Sequence, residues 1–556
     1  MLLFSCPTFL TGWLAQSCVH RRSILEVKTE PRSPVLSMPV STGSCSTSTS
    51  LFGTDASKMA ETWCTASVSV SLLFGGLIVY ILYKIFKPEP KNLPPGPRGF
   101  TALRTTLSAM KELRLHKQSQ VWAEQYGELV LCRSALGDMC FLNSARLIRE
   151  VFGSKQWEMV ANDRVKGFYG WHATYKYMDL AMADLSTPDW PKKRRLFHSA
   201  LRFYGDGVER FERTVQNELR RLVTSLEDRE GEEIDVMALL STSIVNVLLV
   251  LLTGECPKQG APIAQALKDF DATINEVMSP SVDGILTAFP FLRLIPGTYY
   301  RDIYLRLKEG QNNSSHTPGK PRGFVDVFLD EQLKEENHWL KDDSIRGMLV
   351  NVIAGGYLTS LLTLRVFFLC LIHHPEVTQK IQQEIDDVLG DREACVEDKS
   401  NLPYTEAAVL ETLRYGCLLP FGVPHLARDD VMVDGYKIPK GSMIIGNAWL
   451  THHDPNLWDK PEQFRPERFL DDVTGDLLPA THPLRQGVQS FGVGRRSCPG
   501  ESFARSRLFL YASTLLQKFD ILPPVKHELP PWTRQHYEDG IILKPPPYRL
   551  IFRRRA

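Results

Sequence analysis

Apolar residues recur at three- and four-residue spacings through 207–230, 261–279, 326–336, 343–372, 374–390, 404–417 and 500–519, and each stretch predicts a helix. The stretch 343–372 reads as one long buried helix. Inside it stands AGGYLTS (354–360). Adjacent glycines in a helix interior cost about 1 kcal/mol each relative to alanine, so their smallness implies that something approaches this helix closely. Strand-like alternation is confined to short pieces such as VMVDGYKIP (431–439), with its Asp-Gly turn. The pattern predicts a mainly α domain with a minor β part.

The N-terminal end follows a different rule. From Thr62 to Tyr83 no residue is charged, and the 21 residues Ala66–Phe86 would span about 31 Å as a helix, close to the thickness of a bilayer's hydrocarbon core. Residues 62–86 therefore read as a transmembrane helix. Lys84, Lys87, Lys91 and Arg98 follow it, which leaves the C-terminal bulk of the chain in the cytosol. Residues 1–61, rich in Ser, Thr and Cys, show neither period and read as a disordered extension. Met59 stands just before the anchor and offers an alternative start. Residues 87–99, with LPPGPRG at 93–99, read as a proline-rich hinge. Residues 100–556 form the remaining domain, with the polar stretch 309–323 as a surface loop carrying the Asn312 and Asn313 sequons.

With 65 basic and 64 acidic residues the net charge is +1, and a nucleic-acid partner is excluded on that balance. The 11 cysteines show no C-x-x-C pair, so most read as reduced and buried. Cys498 differs. It lies in FGVGRRSCPG (491–500), among glycines and arginines and directly before a helical pattern. There the helix dipole and nearby positive charge are expected to favour the thiolate, which can bind a metal. The adjacent pairs His373/His374 and His452/His453 cannot both face one ion from a helix and read as structural.

Phe491, Gly494, Arg496, Cys498 and Gly500 fit F-x-x-G-x-R-x-C-x-G, a match expected by chance in about one of several thousand chains of this length. In this the sequence resembles the cytochrome P450 family, most closely its animal microsomal members, the group with steroid 17-hydroxylases and drug-oxidising enzymes. The resemblance runs from about residue 62 to the C-terminus and implies the P450 fold, a single large haem domain behind an N-terminal transmembrane helix. It implies haem b with Cys498 as the axial thiolate, Arg496 on a haem propionate and Phe491 packed beside the sulfur. Thiolate ligation favours O–O cleavage. DWPKKRRL supplies Trp190 and Arg194, and PHLARDD supplies His425, as further propionate partners. ETLR with FRPERF implies a buried scaffold cluster, Glu411–Arg414–Arg468. Gly355, Gly356 and Thr359 fall on the family's oxygen-side helix, the glycines leaving room for haem and dioxygen. Leu358 stands where the family carries Asp or Glu, so the usual proton-relaying acid is missing.

The implied activity is monooxygenation of a lipophilic substrate (a steroid, fatty acid or xenobiotic) at the endoplasmic-reticulum membrane. Electrons are expected from NADPH through a flavoprotein reductase docked near Lys192, Lys193 and Arg495, with cytochrome b5 as a further partner. Rival readings are a haem-thiolate isomerase or dehydratase of an oxygenated lipid, and a haem-binding membrane protein without catalysis. Pocket walls are expected at 165–185, 280–295, 350–358, 418–424 and 537–541, with Phe168, Tyr169, Phe289 and Phe291 among them.

Overall fold

The computed structural model describes residues 90–203, 208–254, 262–310 and 323–555, together with Gly75, Gly76, Val79 and Tyr83, which are helical. The extension at 1–61, the rest of the anchor at 62–86 and most of the loop at 309–323 lie outside the described residues. The chain divides into two compact units, Met1–Gly75 and Gly76–Ala556, and the second contains the candidate site.

Helices dominate, as the apolar pattern predicts. Those that hold the site are labelled in chain order: α1 (Ala145–Gly153), α2 (Trp190–Phe203), α3 (Val208–Glu227), α4 (Val236–Thr253), α5 (Asp342–Gly356), α6 (Leu358–His373), α7 (Pro375–Leu389), α8 (Pro403–Gly416) and α9 (Glu501–Lys518). Local chemistry sets their ends. Ser144 caps α1 by accepting from the Leu147 N–H, and Asp235 caps α4 through the Ala238 N–H. Gly254 closes α4 in the left-handed conformation, and Pro403 opens α8 at its first turn.

The main core is built on α4, α6 and α9, with Leu248, Leu361, Leu362, Phe368, Phe509 and Leu516 all at 0% exposure. Each such side chain contributes about 1.5–3 kcal/mol by leaving water. α4 and the joined span Asp342–His373 are apolar enough to cross a membrane, but their apolar surface is taken up inside this core. The long helix expected at 343–372 runs Asp342–His373 with a local interruption; the Tyr357 N–H still donates to the Ile353 carbonyl at 3.2 Å, and its carbonyl accepts from the Leu361 N–H at 3.1 Å. Tyr357, with φ −88° and ψ −76°, separates α5 from α6.

The β part comprises three small sheets among the described residues. The largest has five strands, β1 (Leu129–Ser134), β2 (Gly137–Leu142), β3 (Asp163–Arg164), β4 (His425–Leu426) and β5 (Met443–Gly446), in spatial order β1-β2-β5-β4-β3. Its register sets Arg164 opposite His425. The expected hairpin pairs Val433 with Tyr436 across Asp434 and Gly435, both at positive φ as a tight two-residue turn requires.

The proline run behaves differently from a hinge. The Leu131 and Arg133 N–H groups donate to the Pro95 and Pro97 carbonyls, at 2.9 and 3.0 Å, so 94–98 lies along β1 as part of the folded body. A Cβ on Gly96 would stand 2.4 Å from the Leu131 carbonyl oxygen. Lacking N–H groups, these prolines serve the sheet as acceptors at its edge.

Candidate functional site

Cys498 closes a tight loop ahead of α9. Its N–H donates to the Phe491 carbonyl at 2.7 Å, around a short 3-10 turn at Gly494–Arg496. Gly492 and Gly494 both sit at φ +69°, and a Cβ on Gly494 would meet the Phe152 carbonyl at 2.3 Å. The glycine at 494 is therefore demanded twice, by its backbone angle and by the end of α1. Phe491 is half-buried against the main core. Cys498 is crowded by protein yet exposed, the condition of a residue at the floor of a concavity. Burial pushes its thiol above the ordinary value, and the Gly500 N–H and the Arg194 charge, which pull it down, are outweighed. The expectation that helix dipole and positive charge favour the thiolate thus fails for the protein alone, because desolvation is the larger effect. A bound metal cation would reverse the balance.

Around this loop the structure gathers Trp190, Arg194, Arg496 and His425. Arg194 donates to the Ser497 carbonyl at 3.0 Å and to its hydroxyl at 3.2 Å. Arg496 donates to the carbonyls of Asn162, Leu180 and Ala183, and the Trp190 indole shares the Leu180 carbonyl at 3.0 Å. The Arg496 guanidinium lies 4.9 Å from the Trp190 ring. His425 stacks on Phe152 at 3.9 Å, with Nδ1 3.2 Å from the Ala161 carbonyl. Its pKa falls well below the ordinary value through burial and the charges of Arg164 and Arg496. Arg164, which sequence reasoning missed, completes the group by donating to the carbonyls of Ala181, Val423 and Pro424. It lies in a two-residue strand within NDRVKG, and only its pairing with His425 reveals it.

The scaffold residues meet elsewhere. Arg414 grips the Glu411 carboxylate with two bonds of 2.7 Å, Arg468 adds one at 3.1 Å and the Arg465 N–H one at 2.8 Å. Glu411 and Arg414 are fully buried. Arg414 also donates to the His452 carbonyl at 2.7 Å, while His452 Nε2 accepts from the Gln489 N–H at 2.8 Å. His452 thus ties the scaffold to the entry of the cysteine loop. His453 Nδ1 lies 3.1 Å from the Trp449 carbonyl.

At the interruption between α5 and α6, Thr359 Oγ1 donates to the Gly355 carbonyl at 2.6 Å. The two glycines part company. A Cβ on Gly355 would meet nothing within 4 Å, whereas one on Gly356 would stand 2.9 Å from Leu248 Cδ2 of α4. Gly355 opens onto space, and Gly356 is small because a neighbouring helix presses on it. Leu358 is buried in the main core.

One further expectation needs correction. Lys193 is 2% exposed, turned inward toward Asp179 and Asp189, and offers no docking charge. Arg495 keeps 47% of its side chain exposed while pairing with Glu158 at 3.0 Å, and Lys192 lies 5.7 Å from the Trp339 ring, so neither charge is removed from the surface. Phe289 and Phe291 stand at 46% and 56% exposure. Phe168 and Tyr169 are buried in a separate cluster with α5 residue Val350.

A family model described as Cytochrome P450 matches residues 94–552. The chain belongs to the cytochrome P450 family. It is 32% identical over 484 residues to a farnesoate epoxidase from Bombyx mori, covering 83% of this chain and 94% of that protein. It is 31% identical over 509 residues to a steroid 17-alpha-hydroxylase/17,20 lyase from Ictalurus punctatus, covering 87% and 96%. Over 502 residues it is 29% identical to cytochrome P450 2B4 from Oryctolagus cuniculus, covering 86% and 98%. This P450 is therefore an enzyme of a family with monooxygenase members, mostly helical with a small sheet part, and the family implies a haem held by a cysteine thiolate.

The site's donors suit that group. Among the described residues no carboxylate bonds Arg164, Arg194 or Arg496, which direct their donors to carbonyls and one hydroxyl. Burial lowers the pKa of all three, that of Arg496 to about 10. Asp163, Asp179 and Asp184 lie near enough to raise the Arg496 pKa but do not bond it, and three partly desolvated cations that converge with free bonding capacity suit an anionic group such as the two propionates of haem.

Proposed function

We propose that this P450 is a monooxygenase that inserts one oxygen atom from dioxygen into a lipophilic substrate, using electrons that a flavoprotein reductase draws from NADPH. The observation that carries the reading is the convergence of an accessible cysteine with three arginines that bond to no carboxylate among the described residues. Haem bound there supplies oxygen activation, with the thiolate's electron push favouring O–O cleavage. Cys498 is the residue that would hold the iron. Arg164, Arg194, Arg496, Trp190 and His425 would receive the propionates, exchanging backbone carbonyls for carboxylate partners. The Gly500 N–H, which already favours a charged Cys498, would moderate the thiolate. Gly355 would leave the approach to the substrate side clear. Thr359 Oγ1, now donating to the Gly355 carbonyl, would turn its proton toward the site.

The farnesoate epoxidase and the steroid hydroxylase among the relatives act on lipophiles by name, which supports a lipophilic substrate here. The catalytic body is taken to begin at Pro94, with residues 62–86 anchoring it to the endoplasmic-reticulum membrane and the catalytic domain in the cytosol. Cytochrome b5 is a second electron donor in this reading. The reductase is not assigned to Lys193, while Lys192 and Arg495 are kept as its docking charges.

One observation favours the isomerase or dehydratase reading, the leucine at 358. A spectral-shift screen of steroids, fatty acids and xenobiotics, followed by turnover of the ligands found, separates the two. Product that appears only with NADPH and reductase supports the monooxygenase. Product from an oxygenated lipid without either overturns it.

A further inference from the structure

Arg507, on α9, is 0% exposed. Its Nη2 donates to the Gly356 carbonyl at 2.8 Å and to the Ser360 hydroxyl oxygen. Nε and Nη1 meet no acceptor among the described residues, and no carboxylate among them answers the charge. The group that raises its pKa is the Tyr511 hydroxyl, itself 2.6 Å from Ser243 Oγ of α4, and the Phe503 ring lies 5.4 Å from the guanidinium. Burial lowers its pKa to about 10, so it remains a cation at neutral pH.

A buried guanidinium without a carboxylate partner is destabilising, and an apolar residue of similar volume would fill the space without that penalty. What the charge holds explains its presence. The Gly356 carbonyl and the Ser360 hydroxyl stand on either side of the interruption at Tyr357, and Thr359 lies between them. A guanidinium has donors only, so Ser360 Oγ must accept from it, and both acceptors are pinned to α9. That helix begins three residues after Cys498. One side chain therefore links the cysteine's helix to the segment carrying Gly355 and Thr359.

We propose that Arg507 is a positioning residue: it locks the Gly356–Ser360 segment against α9 and so fixes Thr359 and the open face of Gly355 relative to Cys498. The idea rests on the monooxygenase reading for its functional consequence, and its structural content can be tested apart from turnover. The test compares purified full-length wild type with Arg507→Met and Arg507→Lys by amide hydrogen exchange, the ferrous–CO spectrum, and product formed per NADPH consumed.

Arg507→Met is expected to keep haem and its thiolate-type spectrum while amides 355–361 exchange about ten- to a hundredfold faster. Amides 364–371 are expected to stay as protected as in wild type. Product per NADPH falls severalfold, and Arg507→Lys restores part of both effects, because an ammonium can still reach one acceptor. Wild-type exchange in 355–361 with wild-type coupling in Arg507→Met overturns the proposal. If that variant does not fold, Ser360→Ala decides: it removes one acceptor, and unchanged exchange across 355–361 overturns the proposal while a severalfold rise supports it. Should the wild type give no monooxygenase product, the function reading fails, and the exchange comparison still decides the role of Arg507.

Discussion

Replacing His452 by glutamine tests how the scaffold holds the cysteine loop. The imidazole is fully buried, and its Nε2 accepts from the Gln489 N–H. Burial, then the Arg414 charge, lowers its pKa from 6.5 to about 3. Between those values the unfolded chain binds a proton that the folded chain refuses, so stability rises with pH through this window and is lost as pH falls below 6.5. At about pH 5 the unfolded histidine is almost fully charged and the folded one neutral, a loss of about 2 kcal/mol from this residue. A glutamine carbonyl can accept from the same N–H but does not titrate. His452→Gln should therefore cost about 1–2 kcal/mol at about pH 7.5, where a buried hydrogen bond is merely remade imperfectly. That deficit should shrink by about 2 kcal/mol at about pH 5. Urea midpoints of both proteins at the two pH values give the answer, and the difference between proteins cancels every other titrating group. A deficit that is the same at both values would refute the assignment of His452 as a neutral acceptor.

Glu411→Gln should destabilise the domain by about 3–5 kcal/mol, since two buried guanidiniums lose their shared carboxylate; a change in urea midpoint worth under about 1 kcal/mol would count against this. Gly494→Ala should abolish haem loading, because a Cβ there strikes the Phe152 carbonyl at 2.3 Å, whereas Gly355→Ala should load haem normally and alter ligand binding, as measured by absorbance titration. Leu358→Glu should raise product per NADPH if a proton relay is what the leucine costs the enzyme, with some loss of thermal stability from the buried carboxylate. Unchanged coupling in an enzyme shown to hydroxylate would mean that protons arrive by another path.

The parts most legible in the sequence are those where one residue type admits few substitutes. FGVGRRSCPG located the loop because positive-φ glycines and a cysteine beside arginines leave few alternatives, and ETLR with FRPERF named three residues that meet in one buried cluster. α4 carries no helical period in the sequence, because Val236–Thr253 is apolar on nearly every face, which removes the period that marks an amphipathic helix. A continuous pattern of buried residues runs across the interruption at Tyr357 and leaves no mark of it in the sequence, and the two adjacent glycines differ only through Leu248, which packs beside Gly356 alone. Arg164 and Arg507 could not be found at all from local pattern, since a lone arginine in sequence reads as surface. Their burial follows from strand pairing and helix packing over long sequence separations. Lys193 misled in the opposite sense: within PKKRR it looks like part of an exposed basic run, and the turn of α2 puts it inside.

The central claim is that Cys498 holds haem through its thiolate. The ferrous–CO difference spectrum of purified wild type and Cys498→Ser, with bound haem quantified in each, addresses it directly. A thiolate-type band is expected in the wild type and none in Cys498→Ser, because serine cannot supply the same electron push to iron. A thiolate-type band of wild-type intensity per haem in Cys498→Ser would contradict that claim.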